Sequence, residues 1–198
     1  MDIQSIARSF EGLAAATVYE SNGKSGDMAP SIRPLQPGVR LAGPAFTVRC
    51  LPGDLAAVRR AVDAAPPGHV LVIDAGGTER ATVWGGSGSI AAQRRGLAGM
   101  VTNGSTRDAA QIRQLGFPVF CAGISVRGGL RQHEGWHQVP VSVGDAVVHP
   151  GDWIVADDDG VVVVAGDRVE AVLAKAQQKA RAEAERERRL RDGEPYDI

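Results

Sequence analysis

The feature that most constrains this chain is an alternation of short apolar runs and helical patterns that begins at Gly43 and keeps its rhythm to Gly123. The run AFTVRCL (45 to 51) passes through a PGD turn into a helical pattern from Asp54 to Ala64, and HVLVIDAGG (69 to 77) follows. A helix around Ser89 to Arg95 then precedes LAGMVTNG (97 to 104), and a helix from near Arg107 to Leu115 precedes FPVFCAG (117 to 123). Short near-continuous apolar runs suit strands covered on both faces, and strands returning through a helix lie parallel, so the pattern predicts an α/β fold with a partly parallel sheet. Asp54 is placed to cap the first of these helices by accepting a backbone N–H.

After Gly123 the rhythm changes. The runs VPVSV (139 to 143), AVVH (146 to 149), WIVAD (153 to 157) and VVVVA (161 to 165) are separated by GD, PGD and DDDG turns, which predicts a β-rich layer. Ahead of Gly43, LAAATVYES is the helix expected in the first 40 residues, and Gly23, Gly26, Pro30, Pro34 and Pro37 break the remainder into an arm. Asp167 is read as the cap of a long helix from Val169 to about Leu190, whose apolar stripe fades after Ala176 into RAEAERERRLR. No shift of composition divides the 198 residues, so one domain is expected over 1 to 198, with an N-terminal arm (1 to 42) and a C-terminal helix (167 to 191).

Charge excludes some partners. A formal net charge of −1 offers no clustered basic face for nucleic acid, and the tail reads as a solvated helix through the i,i+4 pairs Glu185 with Arg189 and Glu187 with Arg191. No stretch approaches the roughly 18 apolar residues of a membrane span, and the N-terminus lacks the apolar core of a secretion signal. Cys50 and Cys121, far apart in apolar surroundings, suit buried thiols in a reducing, cytoplasmic compartment better than a disulfide framework.

Three motifs compete as sites. His133-Glu134-Gly135-Trp136-His137 matches the H-E-x-x-H of zinc peptidases, but that chemistry needs both histidines on one helix face, and Gly128, Gly129, Gly135 and Pro140 crowd the segment. Asp157, Asp158 and Asp159 before Gly160 read as a hairpin turn, because three successive acids between strands cannot aim at one cation. Asn103 to Asp108 joins a strand end to a helix start, the position suited to anions and catalysis. There Arg107 can face a carboxylate or enolate and Asp108 can hold a hard cation such as Mg²⁺; the competing reading is a structural Arg-Asp pair. The Gly-rich loop Trp84 to Gly88 offers free backbone N–H groups as a carboxylate nest, or is a flexible turn. Arg127, Arg131 and His133 read as solvated loop residues, with contact to a distal carboxylate as the functional alternative.

Together, IRPLQPGVRLAGPAFTVRCLPGD (32 to 54), PPGHVLVIDAGG (66 to 77), WGG (84 to 86), RGLAGMVTNGSTRD (95 to 108), GFPVFCAGISVRG (116 to 128) and VHPGDWIVADDDGVVVV (148 to 164) resemble the class II 4-hydroxy-4-methyl-2-oxoglutarate / 4-carboxy-4-hydroxy-2-oxoadipate aldolase family, which also holds the regulators of ribonuclease E activity. The resemblance implies a layered α/β/β fold like the phosphohistidine swivelling domain, with a long C-terminal helix, assembled as a homotrimer or hexamer with sites between subunits. It implies a Mg²⁺ or Mn²⁺ ion held by Asp108, partly through waters, that polarises the 2-oxo group of a small 2-oxo acid, and a pyruvate enolate stabilised by the metal and Arg107. The substrate carboxylate is expected in the loop Gly85, Gly86, Ser87 and Gly88, and Glu183 of a neighbouring subunit, with Glu185 or Glu187 as alternatives, in the metal's water shell.

The chain departs from the family at two places. Gly86 stands where the aldolases carry an acid, 21 residues before Arg107, and Asn103 stands where an Asp is usual. Fewer carboxylates hold Mg²⁺ less tightly and leave the aldol step short of an acid-base group, whereas decarboxylation of oxaloacetate needs only a polarised 2-oxo group and a stabilised enolate. The alternative is a non-catalytic binding or regulatory protein on the same scaffold, favoured by Gly86 and disfavoured by the intact Arg107-Asp108 pair.

Overall fold

The computed structural model describes residues 2–77 and 82–196, and in it the alternating runs become one curled sheet. Its parallel centre contains β2 (Leu41–Arg49), β3 (Val70–Asp74), β5 (Gly99–Thr106) and β6 (Val119–Ile124), joined by the crossover helices α3 (Ala56–Ala64), α4 (Gly86–Arg94) and α5 (Ala109–Leu115). A short strand not anticipated from sequence, β4 (Thr82–Trp84), lies parallel to β5. Antiparallel strands extend both sides: β1 (Arg33–Pro34) on β6, β7 (Trp136–His137) and β10 (Trp153–Asp157) on β2, and β11 (Gly160–Val164) on β10. The order is β1-β6-β5-β3-β2-β10-β11. Its two ends approach each other, with Arg33 Nη1 donating to the Asp159 carbonyl at 3.1 Å, so the sheet nearly closes into a barrel.

Side-chain alternation divides the interior into three cores, because successive residues of a strand point to opposite faces. Val70 and Val72 of β3 pack inside the curl with Val101, Ile154, Val161, Val163 and the small hairpin of β8 (Val141–Val143) and β9 (Ala146–Val148). Leu71 and Ile73 turn outward onto α3, α4 and α5 with Val58, Val62, Ala92 and Ile112. On the far side Trp153, Val155, Val162 and Val164 meet α1 (Ile3–Glu11), α2 (Ala15–Ser21) and α6 (Val169–Arg191). The expected α/β fold with a long C-terminal helix is therefore present.

Several local expectations change. The arm holds two helices where one was read, α1 being capped by Asp2, whose carboxylate accepts the Ser5 N–H at 2.9 Å. Asp167 does not cap α6: it lies inside a 3-10 turn, Gly166–Arg168, and Arg168 takes the cap position without a side-chain hydrogen bond. The buried face of α6 ends at Ala176 as expected. Beyond it Glu187 pairs with Arg191 at 3.2 Å, but Glu185 pairs with Arg188 while Arg189 reaches Glu194. The second zinc-motif histidine lies in β7, with His137 Nε2 2.7 Å from the Ala57 carbonyl, and Glu134 is ion-paired to Arg60, so no helix aligns the motif. Asp157 to Gly160 closes the β10-β11 hairpin: Asp157 accepts the Ala15 and Asp159 N–H groups and Asp158 the Gly38 N–H, so these two carboxylates have separate partners. Burial pushes the Cys50 thiol up to about 12 and the Cys121 thiol up to about 11, which leaves both unreactive. Among the described residues, no helix is long and apolar enough to cross a membrane.

Candidate active site

The site forms where two neighbouring parallel strands end. β4 and β5 run side by side, so the residues after Trp84 and after Thr106 emerge together, and the chain enters α4 from one and α5 from the other. Two helix N-termini, each a source of unpaired N–H groups and partial positive charge, therefore converge on one spot. Asp108 sits between them. It begins α5 at φ 57°, a left-handed conformation that costs a non-glycine residue of order 1 kcal/mol. Its side chain does not cap its own helix; Oδ2 instead accepts the Gly86 N–H at 3.1 Å, across at the start of α4.

The glycines of the expected nest have steric reasons. A β-carbon at Gly85 would stand 2.9 Å from Asp108 Oδ2 and 3.3 Å from Arg107 Cγ, so this position must be bare for the two strand ends to meet. Gly86, Ser87 and Gly88 are not a flexible loop but the first turn of α4, whose cap Gly85 has no side chain to offer. The first-turn N–H groups of Ser87 and Gly88 have no partner within the helix. Gly88 packs 3.5 Å from the Trp84 ring, counted from where its β-carbon would be, and that indole, stacked on Phe117 and donating to Ser89 Oγ at 2.7 Å, gives the turn a rigid floor.

Arg107 is held by its own N–H on the Trp84 carbonyl at 3.2 Å. Its side chain is half exposed, with Nε 3.6 Å from Asp108 Oδ2. Arg107, Asp108, Gly85, Ser87 and Gly88 share a cavity of about 230 Å³ with Leu55, Val58, Arg59 and Val62 of α3, with β4 and with Arg131. Sequence reasoning missed the α3 wall. Its signal was present: Leu55, Val58, Arg59 and Val62 follow the i, i+3, i+4, i+7 spacing of one helix face, with a charge embedded among apolar residues.

Arg131 reaches the cavity because Asp54 does more than cap α3. The buried Asp54 carboxylate accepts the Ala56 N–H at 2.8 Å, and also the Gln132 and His133 N–H groups at 2.7 and 3.0 Å. Burial alone would raise its pKa; these three N–H groups outweigh that and hold the carboxyl below its ordinary range. Asp54→Ala is expected to destabilise the fold by about 3 kcal/mol, since three N–H groups lose a charged acceptor. Because the native pKa is lowered, this contribution is complete above the unfolded value near ~3.9 and disappears as pH falls through the native one. Denaturant melts of both proteins at pH 7 and below pH 4 check this: the gap should narrow in acid.

Other expected residues lie elsewhere. Asn103 is not in this cavity: its Oδ1 accepts the Ala75 N–H at 2.8 Å and its Nδ2 faces Asp74 and the Ser142 carbonyl, so its amide ties β3 to β5 and the small hairpin. Arg127 and His133 do not line the cavity. Glu183 is engaged within its own copy, accepting from Thr17 Oγ1 at 2.9 Å with Lys179 at 3.4 Å. Among the described residues no three His, Cys, Asp or Glu side chains gather as a metal cage. Among the described residues the cavity's carboxylate is that of Asp108, a donor that fits a hard cation keeping most of its water, as Mg²⁺ does.

The RraA-like family model, described as Aldolase/RraA, matches residues 15–163. The chain belongs to this family. A Halalkalibacterium halodurans protein named "Putative 4-hydroxy-4-methyl-2-oxoglutarate aldolase" is 37% identical over 166 residues, covering 84% of this chain and 79% of that protein. A Burkholderia multivorans protein of the same name is 38% identical over 138 residues, 70% of this chain and 84% of its own. Among solved structures, Streptomyces coelicolor RraAS2, described as an unusual member of the RNase ES inhibitor RraA protein family, superposes with a TM-score of 0.84 at 30% identity, covering 93% of this chain and 98% of that one. RraA-like membership accounts for the fold and leaves the chemistry to the cavity.

Proposed function

We propose that this RraA-like chain is a divalent-metal-dependent lyase that cleaves a 4-hydroxy-2-oxo acid to pyruvate and decarboxylates oxaloacetate through the same enolate. The observation that carries the reading is the meeting of Arg107 and Asp108 with the open first turn of α4 in one cavity. The substrate's C1 carboxylate is received by the Ser87 and Gly88 N–H groups. Arg107 then faces the 2-oxo oxygen, where negative charge grows as the C3–C4 bond breaks and its electron pair becomes the C2–C3 double bond. The C4 hydroxyl gives up its proton and becomes the carbonyl of the leaving fragment, and the enolate takes a proton at C3 to become pyruvate. Asp108 would hold Mg²⁺ or Mn²⁺, which would supply Lewis-acid charge to stabilise the same oxygen.

Among the described residues, the cavity lining contains one carboxylate and three arginines as its ionisable groups. Asp108 already accepts from Gly86, so among the described residues no spare base stands ready for the C4 hydroxyl. Oxaloacetate loses CO₂ with no hydroxyl proton to remove, which favours it as the faster substrate. A trimer or hexamer would bring a neighbouring copy's Glu183 toward the cation's waters. Support for such an assembly is the exposure of the large apolar side chains Ile124, Val126, Leu130 and Trp136, which a second copy would cover. Buried, high-pKa thiols fit a reducing cytoplasmic setting.

Pyruvate release, coupled to lactate dehydrogenase, is the test, run on oxaloacetate and on 4-hydroxy-4-methyl-2-oxoglutarate with Mg²⁺ and then with chelator. The expected result is chelator-sensitive turnover, faster on oxaloacetate. Silence on both would overturn the lyase reading and leave a binding protein, which Gly86 and the likeness to RraAS2 support.

A further inference from the structure

The helix that offers the carboxylate seat is poorly built to keep its own shape. Gly85, Gly86 and Gly88 surround its start, and glycine is, after proline, the residue least favourable to a helix. No side chain caps the first turn, and of the nine residues of α4 only Gly86, Ser89 and Ala92 are buried, so apolar packing holds it lightly. Such a start frays unless something else holds it, and the Ser87 and Gly88 N–H groups can converge on one anion only while the turn keeps its pitch. Trp84 supplies the hold. Its indole Nε1 donates to Ser89 Oγ at 2.7 Å, both residues being buried, and the Ser89 N–H closes on the Gly85 carbonyl at 3.1 Å. The same residue fixes the other half of the site, since its carbonyl accepts the Arg107 N–H at 3.2 Å and it pairs with Thr106 across β4 and β5. Trp84 thus bonds the guanidinium-bearing strand end through its main chain and the carboxylate seat through its side chain.

We infer that Trp84 and Ser89 are positioning residues: their hydrogen bond sets the first turn of α4 at the separation from Arg107 that the carboxylate and 2-oxo oxygen of a 2-oxo acid require. This rests on the reading of that turn as the seat of the C1 carboxylate. The pair acts through the turn and takes no part in breaking the C3–C4 bond. A carboxylate keeps its charge from bound substrate to transition state, so a well-set seat stabilises both alike, whereas Arg107 meets charge that grows only as the bond breaks. The two kinds of residue therefore separate kinetically. Loss of the Trp84-Ser89 bond raises KM and leaves kcat, the reverse of what Arg107→Ala does. A merely structural role gives a third pattern, because a smaller folded fraction lowers the apparent kcat at an unchanged KM.

The test compares Ser89→Ala, Trp84→Phe and the double variant with the parent chain, through the affinity for pyruvate measured by calorimetry with Mg²⁺ and through steady-state kinetics on oxaloacetate. Each single substitution should weaken pyruvate binding and raise KM by about 10-fold, with kcat within about 2-fold. Trp84→Phe/Ser89→Ala should also cost about 10-fold rather than about 100-fold, because both changes remove one shared bond. Alanine suits a helix, so Ser89→Ala should fold, and where Trp84→Phe does not, the split between KM and kcat in Ser89→Ala decides alone. Unchanged pyruvate affinity in Ser89→Ala, a loss of kcat at constant KM, or additive effects in the double variant would each overturn the inference. A parent chain that binds no pyruvate would overturn it together with the carboxylate seat on which it rests. Failure of the lyase reading looks different: pyruvate binds the parent and weakens in both variants, yet none is released from any 4-hydroxy-2-oxo acid or from oxaloacetate.

Discussion

Arg107→Ala is expected to lower chelator-sensitive pyruvate release by about 10²- to 10³-fold, the cost of removing one group aimed at a developing oxyanion. The fall should be in kcat more than in KM, because the charge Arg107 meets exists fully only as the C3–C4 bond breaks. Its side chain is half exposed and its main-chain bond to Trp84 survives the change, so the melting temperature should stay within about 2 °C. Arg107→Lys keeps the charge without the fork and should recover only part of the rate. The companion substitution is Asp108→Asn rather than Asp108→Ala. Asn tolerates the left-handed backbone at φ 57° and keeps an oxygen for the Gly86 N–H, so a lost metal response reports the missing charge and not a collapsed turn. Steady-state kinetics with each variant, beside thermal melts, check both. Full metal-dependent turnover in Arg107→Ala would remove the guanidinium from the mechanism.

How far the sequence alone reaches depends on how local the determining physics is. The parallel centre was legible because β2, β3, β5 and β6 are apolar runs separated by helical patterns, and that spacing leaves few ways to bury both faces. The placing of Arg107 and Asp108 was legible for the same reason, as a strand end running into a helix start. What escaped was set at long range. Asp54 reads as a helix cap, and it is one, but its second oxygen fixes residues 132 and 133 some 78 positions away and so brings Arg131 to the cavity. Asn103 reads as part of the site because it is four residues from Arg107, yet along a strand successive side chains alternate, and this one faces Asp74 and the small hairpin. Arg59 hid in an ordinary helix face whose neighbour across space, α4, is separated from it by the whole of β3 and β4.

The other large effect expected is a gain. Gly86 lies in the first turn of α4, beside Asp108, at the point where the family resemblance implies an acid, and the room for a side chain there is filled by Gln111 of α5. A β-carbon at Gly86 would overlap Gln111 Oε1, while Asp108 Cβ would be at an ordinary 3.4 Å. The overlap is with the far end of a flexible, exposed side chain, so Gln111 can swing aside at little cost, and an acid in a helix's first turn is favoured by the N-terminal partial charge. Gly86→Asp should therefore fold, and it places a carboxylate where one can take up the C4 hydroxyl proton. Positioned acid-base groups contribute about 10²- to 10⁴-fold, so turnover of 4-hydroxy-4-methyl-2-oxoglutarate is expected to rise by about 10²-fold, while oxaloacetate decarboxylation, which moves no hydroxyl proton, changes by less than about 3-fold. Gln111→Ala alone should alter neither rate, and in the Gly86→Asp background it should raise the aldol rate slightly by clearing the space. The split between the two substrates is the decisive readout. A parallel rise in both would mean that the new carboxylate acts by tightening the hold on the cation. No rise in either, with the fold intact, would mean that the acid's absence is not what limits the aldol step in this chain.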